Sequence, residues 1–339
     1  MAIRHVAGAA GPPIGEYDAD ILILALDRAE ETVAAIHSAL AQTGVSRHVT
    51  VLDQGSRPEA LARLAAAVDH RPDATLLASS RNLGVAGGRD LAAGLGHGRT
   101  IVALDNDAVF DSPETVARLA RALAAERDLA AVGCRIVVDS TGDDDLTSWG
   151  YPAALLSRAS ETFDAATFVG AGHAIRRTAW DAAGGYDPSL FFCWEEYDFC
   201  LRAIALGWRI QYRGDIAIRH KVSPERRVAW SGARWFHFVR NRIYIERKWG
   251  ASWAALAPRI LGYALKGARN GCFAETPRAI LAAARLAQGL GRADMPAAGR
   301  AYLHRTDTAH RGGVAARIRR DVFGVLPGHR PSAAQTAES

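Results

Sequence analysis

"ATLLASSRNLGVAGGRDLAAGLGHGRTIVALDND", residues 74–107, reads in one pass as strand, glycine-bearing turn, helix and strand. "ATLLAS" (74–79) and "TIVALD" (100–105) are apolar runs of strand length, and the segment between them carries a helical pattern near 86–95. The same alternation precedes it: "ADILILAL" (19–26) with a helix from Glu30 to Ala41, then "HVTVLD" (48–53) with a helix near 57–68. Four strand and helix units in about ninety residues predict an α/β class, a Rossmann-like doubly wound sheet that is parallel in this part. Such sheets gather ligands at the carboxyl ends of their strands, which here carry Asp27, Asp53, Ser80 with Arg81, and Asp105 to Asp107.

Further on, a helix near 113–125 and a strand "LAAVGCRIVV" (129–138) continue the pattern before the polar loop "DSTGDDDLTSWGYP" interrupts it. A strand resumes in "TFVGAGHAIRR" (167–177), a helix opens near Trp194, and helices fill about 229–305. The expected organisation is a loosely anchored tail (1–18) and an α/β domain (19–228) in two parts, 19–110 and 111–228. A basic helical region (229–323) and a second tail (324–339) follow.

Charge divides the chain more sharply than its net +5 suggests. Residues 1–201 hold 16 Lys and Arg against 28 Asp and Glu, whereas residues 202–320 hold 24 against 6. The basic half interleaves its cations with Trp230, Trp235, Tyr244, Trp249, Trp253 and Tyr263, which suits an anionic partner such as a diphosphate or an acidic membrane surface. Nucleic acid is not expected, since no recognition motif accompanies the charge. Cys134, Cys193, Cys200 and Cys272 have no metal-ligand spacing, so reduced thiols and a cytoplasmic location are expected. No signal peptide is read at the start. No uncharged apolar run reaches 18 residues, which argues against spanning a membrane but leaves room for lying on one.

Two acidic groups carry the chemistry. Asp105, Asn106 and Asp107 stand where a strand leaves the core, with no Lys or Arg beside them in the sequence, so their counter-charge is expected to be a bound cation. Hard divalent cations take such carboxylates together with substrate phosphates. The triplet alone also reads as a strand-to-loop turn. In strand geometry Asp105 and Asp107 share one face. The second group, "WEEYDFCLR", is read as a helix that buries Tyr197, Leu201, Ile204 and Trp208 and turns Glu195, Asp198 and Arg202 to a cleft or solvent, with Glu196 at the margin. Acids in a first helical turn also suit the helix dipole without any function. The apolar approach "LFFCW" would desolvate a carboxylate and raise its basicity. His220, in "IAIRHKVS" at a strand end, is either structural or a ligand.

In this order the motifs resemble those of glycosyltransferase family 2, the inverting enzymes of GT-A fold, and most of all bacterial rhamnosyl- and galactofuranosyl-type members. The resemblance covers about residues 19–250 and rests on "VLDQGS", "RNLGVAGGRD", "LDNDAVF", "FVGAGHAIRR", "GGYDPSLFFCWEEYDFCLR" and "RHK". It implies a doubly wound mixed sheet followed by a helical region, and transfer of a sugar from a nucleoside-diphosphate sugar (UDP- or dTDP-linked) to an acceptor hydroxyl. By the same resemblance Asp53, Asp27, Arg28, Arg81, Asn82, Gly87, Asp105 and Asn106 would serve the nucleotide sugar. Asp105, Asp107 and His220 would hold Mn²⁺ or Mg²⁺. Glu196 would be the general base, with Glu195 and Asp198 orienting sugars, and Trp149, Gly172, His173 and Trp194 would face the acceptor side. Glu at 196 replaces the commoner Asp, and Asp90 stands where Asn is usual.

A sugar-phosphate nucleotidyltransferase would want a glycine-rich basic turn after the first strand, and a dehydrogenase would want GxGxxG there; this chain has "LALDRAEE". A non-catalytic sugar-nucleotide or membrane-binding module is the remaining alternative, and two complete acidic clusters weigh against it.

Overall fold

The computed structural model describes residues 2–221, 232–291 and 293–313. In chain order its elements are β1 (Ile3–Gly8), β2 (Ala19–Ala25), α1 (Ala29–Leu40), β3 (Arg47–Asp53), α2 (Pro58–Val68), β4 (Ala74–Ser79), α3 (Gly84–Ala93), β5 (Thr100–Leu104), β6 (Ala108–Phe110) and α4 (Thr115–Ala125). There follow β7 (Leu129–Val138), β8 (Thr162–Ala165), β9 (Gly172–Arg176), α5 (Arg177–Ala183), α6 (Glu195–Ala205), β10 (Arg209–His220), α7 (Gly232–Lys248), α8 (Trp253–Arg269), α9 (Glu275–Leu286) and α10 (Ala297–Thr306).

Ten strands form one mixed sheet in the order β1-β4-β3-β2-β5-β9-β7-β10-β6, with β8 also on β10. β4, β3, β2 and β5 are mutually parallel, as their apolar runs predict for strands covered on both faces. β9 runs antiparallel to both β5 and β7, and β10 is parallel to β7. That arrangement has a direct consequence for the site. The carboxyl ends of β2, β3, β4, β5 and β10 and the start of β9 all reach one edge of the sheet. Chain order reverses between β2 and β5, so the crevice beside Asp27 and Asp105 is the topological switch point where such sheets bind ligands.

Two departures from the sequence reading concern the ends. Residues 3–8 are an edge strand, antiparallel to β4 from Ile3↔Ser79 to Gly8↔Thr75, where an unanchored tail is expected. Backbone pairing needs no long apolar run, and only Val6 and Ala7 add contact with the core. The second departure is α10, which groups with the sheet and not with the other late helices. The Tyr302 hydroxyl accepts the Ile210 N–H at 3.0 Å and lies 3.0 Å from the Ala165 carbonyl, fastening α10 to β8 and β10. The expected tail 324–339 and the expected boundary at 228 lie outside the described residues.

The second compact unit comprises residues 192–194 and α7 to α9. Its core is Trp235, Val239, Ile243, Leu256, Tyr263, Cys272, Ala279 and Ala283. The Trp235 indole donates to Thr276 Oγ1 at 2.8 Å, satisfying the one polar atom of the largest buried side chain. None of the four cysteines forms a disulfide, and Cys134, Cys200 and Cys272 are buried.

Candidate active site

After β2 the chain turns sharply: Asp27 and Arg28 both adopt left-handed backbone, at φ 55° and 49°. Two consecutive non-glycine residues in that region are strained, a condition found at functional sites. Ser56 Oγ accepts the Asp27 N–H at 2.7 Å, and Asp27 Oδ1 accepts the Arg57 N–H at 3.0 Å. That backbone bond is the main reason the Asp27 carboxyl lies below its usual range. Asp53 is expected to meet a nucleotide base, but it is 2% exposed and its carboxylate accepts the N–H groups of Gly55 and Ser56 at 3.1 and 3.3 Å. It shapes the turn after β3 in the manner of an Asx-turn.

β5 ends at Leu104, so Asp105 to Asp107 form a turn, closed by the Ala108 N–H on the Asp105 carbonyl at 3.1 Å, and not the strand end expected from alternation. Asn106 is half-buried at its tip. The turn feeds β6, which pairs with the end of β10 as Ala108↔His220, and the Lys221 N–H then reaches the Asp107 carbonyl at 2.8 Å. Main-chain pairing therefore delivers His220 to the acidic turn. Asp105, Asp107 and His220 each place a ligand atom within 4.8 Å of the others.

This donor set fits a divalent cation. Two carboxylates and one imidazole suit Mn²⁺ well and Mg²⁺ less fully, because Mg²⁺ favours oxygen alone. His220 Nδ1 lies 2.7 Å from Asp145 Oδ2. A carboxylate only accepts, so the imidazole proton sits on Nδ1 and Nε2 presents its lone pair, the arrangement that orients a metal-binding histidine. Asp145 is itself fixed by the Thr147 N–H at 3.1 Å and the Ser148 hydroxyl at 2.8 Å. Asp145→Asn keeps an acceptor but loses the charge, and should weaken Mn²⁺ affinity by about tenfold, read from the free-ion signal in electron paramagnetic resonance. An unchanged affinity would detach Asp145 from the site.

The expectation that the two acids draw their counter-charge only from a bound cation is corrected. Arg89 Nη2 donates to Asp105 Oδ1 at 2.6 Å, and Arg28 Nη1 to Asp107 Oδ2 at 2.8 Å. Both arginines are remote in sequence from the turn they serve. Each carboxylate has two oxygens, so an arginine on one is compatible with a cation on the other.

Arg89 is the residue that sequence reading missed. It is 2% exposed and also donates to the Gly170 carbonyl at 2.7 Å and to Glu196 Oε1 at 3.3 Å. Burial opposes its charge, yet Asp105 first, with Tyr186 and Glu196 behind it, holds its pKa above the ordinary arginine value. A signal was available. In "GVAGGRDLAA" every other buried residue is Gly or Ala, so a buried arginine there needs an ionic partner. The small residues are required by close packing: a Cβ on Gly84, whose φ is +72°, would stand 2.1 Å from the Phe191 carbonyl oxygen.

α6 presents Glu196 toward Arg89. Burial lifts the Glu196 carboxyl above its usual range against the opposing pull of Arg89, and burial together with Glu196 lifts Glu195 well above it. Gly170 completes the fit, since a Cβ there would lie 2.1 Å from Glu196 Oε1. The expected division of α6 into buried and open faces does not hold. Tyr197 and Trp208 are only half-buried, while Glu195, Phe199, Cys200 and Ala203 are buried and Asp198 is 0% exposed. Asp198 forms an i,i+4 ion pair with Arg202 at 2.9 Å, and Arg202 also donates to the carbonyls of Ala183 and Gly185. This pair braces α6.

The other expected residues fall into separate places. His173 stacks on Phe168 with ring centroids 4.3 Å apart and lies 3.0 Å from the Tyr186 hydroxyl. Burial, then Arg89, depresses its pKa well below the usual value, so it is neutral. Gly172 opens β9, where a Cβ would press into Ile218. Trp149 packs edge-on against Tyr151 and Tyr212. Trp194 belongs to the second unit, where its indole donates to the Phe238 carbonyl at 3.0 Å. Arg81, Asn82 and Gly87 line a cavity of about 430 Å³ with Asp90, Pro188 and Phe191, and none of Asp105, Asp107 and His220 lines it. Asp90 accepts the Tyr186 N–H at 3.1 Å, tying α3 to the segment before α6.

Comparison with known proteins agrees with this architecture. Residues 20–183 match the family described as Glycosyl transferase family 2. The succinoglycan biosynthesis protein ExoO of Rhizobium meliloti (strain 1021) is 37% identical over 123 residues, 36% of this chain and 33% of ExoO, so the chain matches about a third of that relative's length. Among solved structures, the mannosyltransferase PcManGT from Pyrobaculum calidifontis, in complex with GDP-Man and Mn²⁺, is similar at a TM-score of 0.52 and 17% identity, over 93% of this chain and 88% of that one. GalNAc-T7 with UDP, GalNAc and Mn²⁺ is similar at 0.55 and 14%, over 90% and 58%. At those identities the likeness concerns the fold. Residues 20–183 thus carry the glycosyl transferase family 2 match, and the chain has a fold similar to the GT-A fold of those two transferases.

Proposed function

We propose that the protein is a metal-dependent glycosyltransferase that moves a sugar from a nucleoside-diphosphate sugar to an acceptor hydroxyl, with inversion at the anomeric carbon. The observation that carries this reading is the constellation in which Arg89 joins Asp105, a member of the cation-binding trio, to Glu196. Asp105, Asp107 and His220 would hold Mn²⁺ or Mg²⁺, which when bound supplies Lewis-acid stabilisation of a departing diphosphate. Glu196 takes the proton from the acceptor hydroxyl; its partial burial makes it a stronger base than a solvated glutamate, while Arg89 keeps its carboxylate oriented. No covalent glycosyl-enzyme step is invoked, so attack from the face opposite the leaving group inverts configuration, and NMR of the product anomer tests it.

Nucleotide sugars are the donors because both similar structures carry nucleotides, GDP-Man in one and UDP in the other. Asp27, Arg28, Arg81, Asn82, Gly87 and Asn106 are proposed to serve a UDP- or dTDP-linked donor, and Trp149, Gly172 and His173 the acceptor side. The acceptor is a saccharide, a lipid-linked glycan or a natural product, met at the cytoplasmic face of a membrane. A donor screen that follows release of nucleoside diphosphate, with and without Mn²⁺ or Mg²⁺, tests function, donor and metal together. Absence of metal-stimulated release from every nucleotide sugar, with a hydroxyl acceptor present, would overturn the proposal.

A further inference from the structure

α8 is apolar on the wrong side. Its inward face, Leu256, Ile260, Tyr263 and Gly267, meets the core of the second unit. A surface helix is ordinarily polar opposite such a face. At 100° per residue a flank of α8 that runs round to its far side is instead Ala264, Ala257, Leu261 and Leu265, with Trp253 at the border of the inward face, all exposed, and Leu261 at 60%. Residues 253–269 contain no Asp or Glu; of their cations Arg269 borders the apolar stripe, Lys266 lies further round, and Arg259 stands on the other side, 3.5 Å from Glu246.

The feature is concentrated. Among the described residues nine large hydrophobic side chains are exposed, and five of them lie between 253 and 281: Trp253, Leu261, Leu265, Phe273 and Leu281. Phe273, at the turn into α9, is 71% exposed. Scattered exposed leucines need no explanation, but several on one helix and the turn that follows it in sequence mark an interaction surface. The partner's charge follows from the surroundings. Between residues 232 and 295 stand eleven Lys and Arg against three acids, Glu246, Glu275 and Asp294. An apolar stripe with a cationic margin and a tryptophan at one end matches an anionic bilayer, whose interface accepts aliphatic and indole side chains while its headgroups attract the cations. α8 is about 26 Å long and no described helix is long and apolar enough to cross a membrane, so the helix would lie in the interface plane.

We propose that the exposed apolar flank of α8 is a docking surface for an anionic lipid bilayer, inserting Leu261 and Leu265, with Trp253 at the interface and Lys266 and Arg269 reaching the headgroups. This deepens the reading in which the acceptor is met at a membrane, and rests on that part of it alone. The test is co-sedimentation of the full chain with vesicles of phosphatidylglycerol and phosphatidylcholine, against vesicles of phosphatidylcholine only. The wild type should bind the anionic vesicles and release as salt is raised. The pair Leu261→Glu with Leu265→Glu should lower partitioning by about tenfold or more, and Lys266→Glu with Arg269→Glu should abolish the preference for anionic lipid. Circular dichroism checks that each pair remains folded; Leu261, Leu265 and Arg269 are exposed and Lys266 half-buried. Wild type that stays in the supernatant at low salt, or leucine variants that bind as well as wild type, would overturn the proposal. So would light scattering that shows a dimer which the leucine variants dissociate, for the face would then join two copies of the chain. Because binding is read without turnover, and turnover on a soluble acceptor without vesicles, failure of one leaves the other measurable.

Discussion

Glu196→Gln should retain donor binding and lose turnover by about 10²- to 10⁴-fold, the range for removal of a general base. The substitution is nearly isosteric, and an amide oxygen still accepts from Arg89, so the geometry around the guanidinium survives while the basicity does not. Calorimetry with the nucleotide sugar should give an affinity within about twofold of wild type, and steady-state release of nucleoside diphosphate should carry the whole loss. Near wild-type turnover would remove Glu196 from the role. The pH profile gives a second reading of the same group. A base must be ionised, so kcat/KM should rise with pH on the acid side, with a midpoint above 4.5, the ordinary glutamate value, because burial raises it. Arg89 opposes that rise, so Arg89→Met should move the acid limb to higher pH.

Asp107→Ala should abolish metal-dependent donor binding, with Mn²⁺ affinity reduced by more than about 100-fold, beyond the 10- to 100-fold typical of an outer partner such as Asp145. It removes one of three ligand groups and leaves Arg28 without the carboxylate it meets at 2.8 Å, adding positive charge where the cation binds. Asp107→Asn separates the two effects, since it keeps the side-chain shape in a nearly buried position and removes only the charge. Free-ion resonance titration measures affinity directly, and nucleotide-sugar binding with and without Mn²⁺ measures its consequence. An Asp107→Ala protein that binds Mn²⁺ as tightly as wild type would exclude Asp107 from the ligand set.

What could be read from the sequence was what depends on neighbours along the chain. Apolar runs and glycine turns placed the parallel strands β2 to β5 and the acids at their ends, because period and length are local properties. The partners of those acids were not local. Arg89 reaches Asp105 only after α3 packs into place, and Arg28 reaches Asp107 across the switch point. Asp145 sits in a polar loop with no periodicity to single it out from Asp143 and Asp144. α6 departs from its sequence pattern for a different reason. Its spacing fits an amphipathic helix, but one enclosed on more than one side can bury carboxylates when arginines match them, as Arg202 does for Asp198. β1 escaped notice because edge pairing relies on backbone groups that every sequence possesses.

The sharing of Arg89 bears on how the enzyme could be re-engineered. In the proposed assignment Asp105 serves the donor side and Glu196 the acceptor, so exchanging α6 alone with that of a relative would be the direct route to a new acceptor. Here the guanidinium that steadies the Glu196 carboxylate comes from α3, 107 positions earlier in the chain, and also holds a carboxylate of the donor side. A graft that imports a shorter acid at position 196, or any side chain at position 170, would break that junction even if every transplanted residue kept its own conformation. A chimera must therefore take α3, the 170–172 turn and α6 together, and its crossover points belong outside all three.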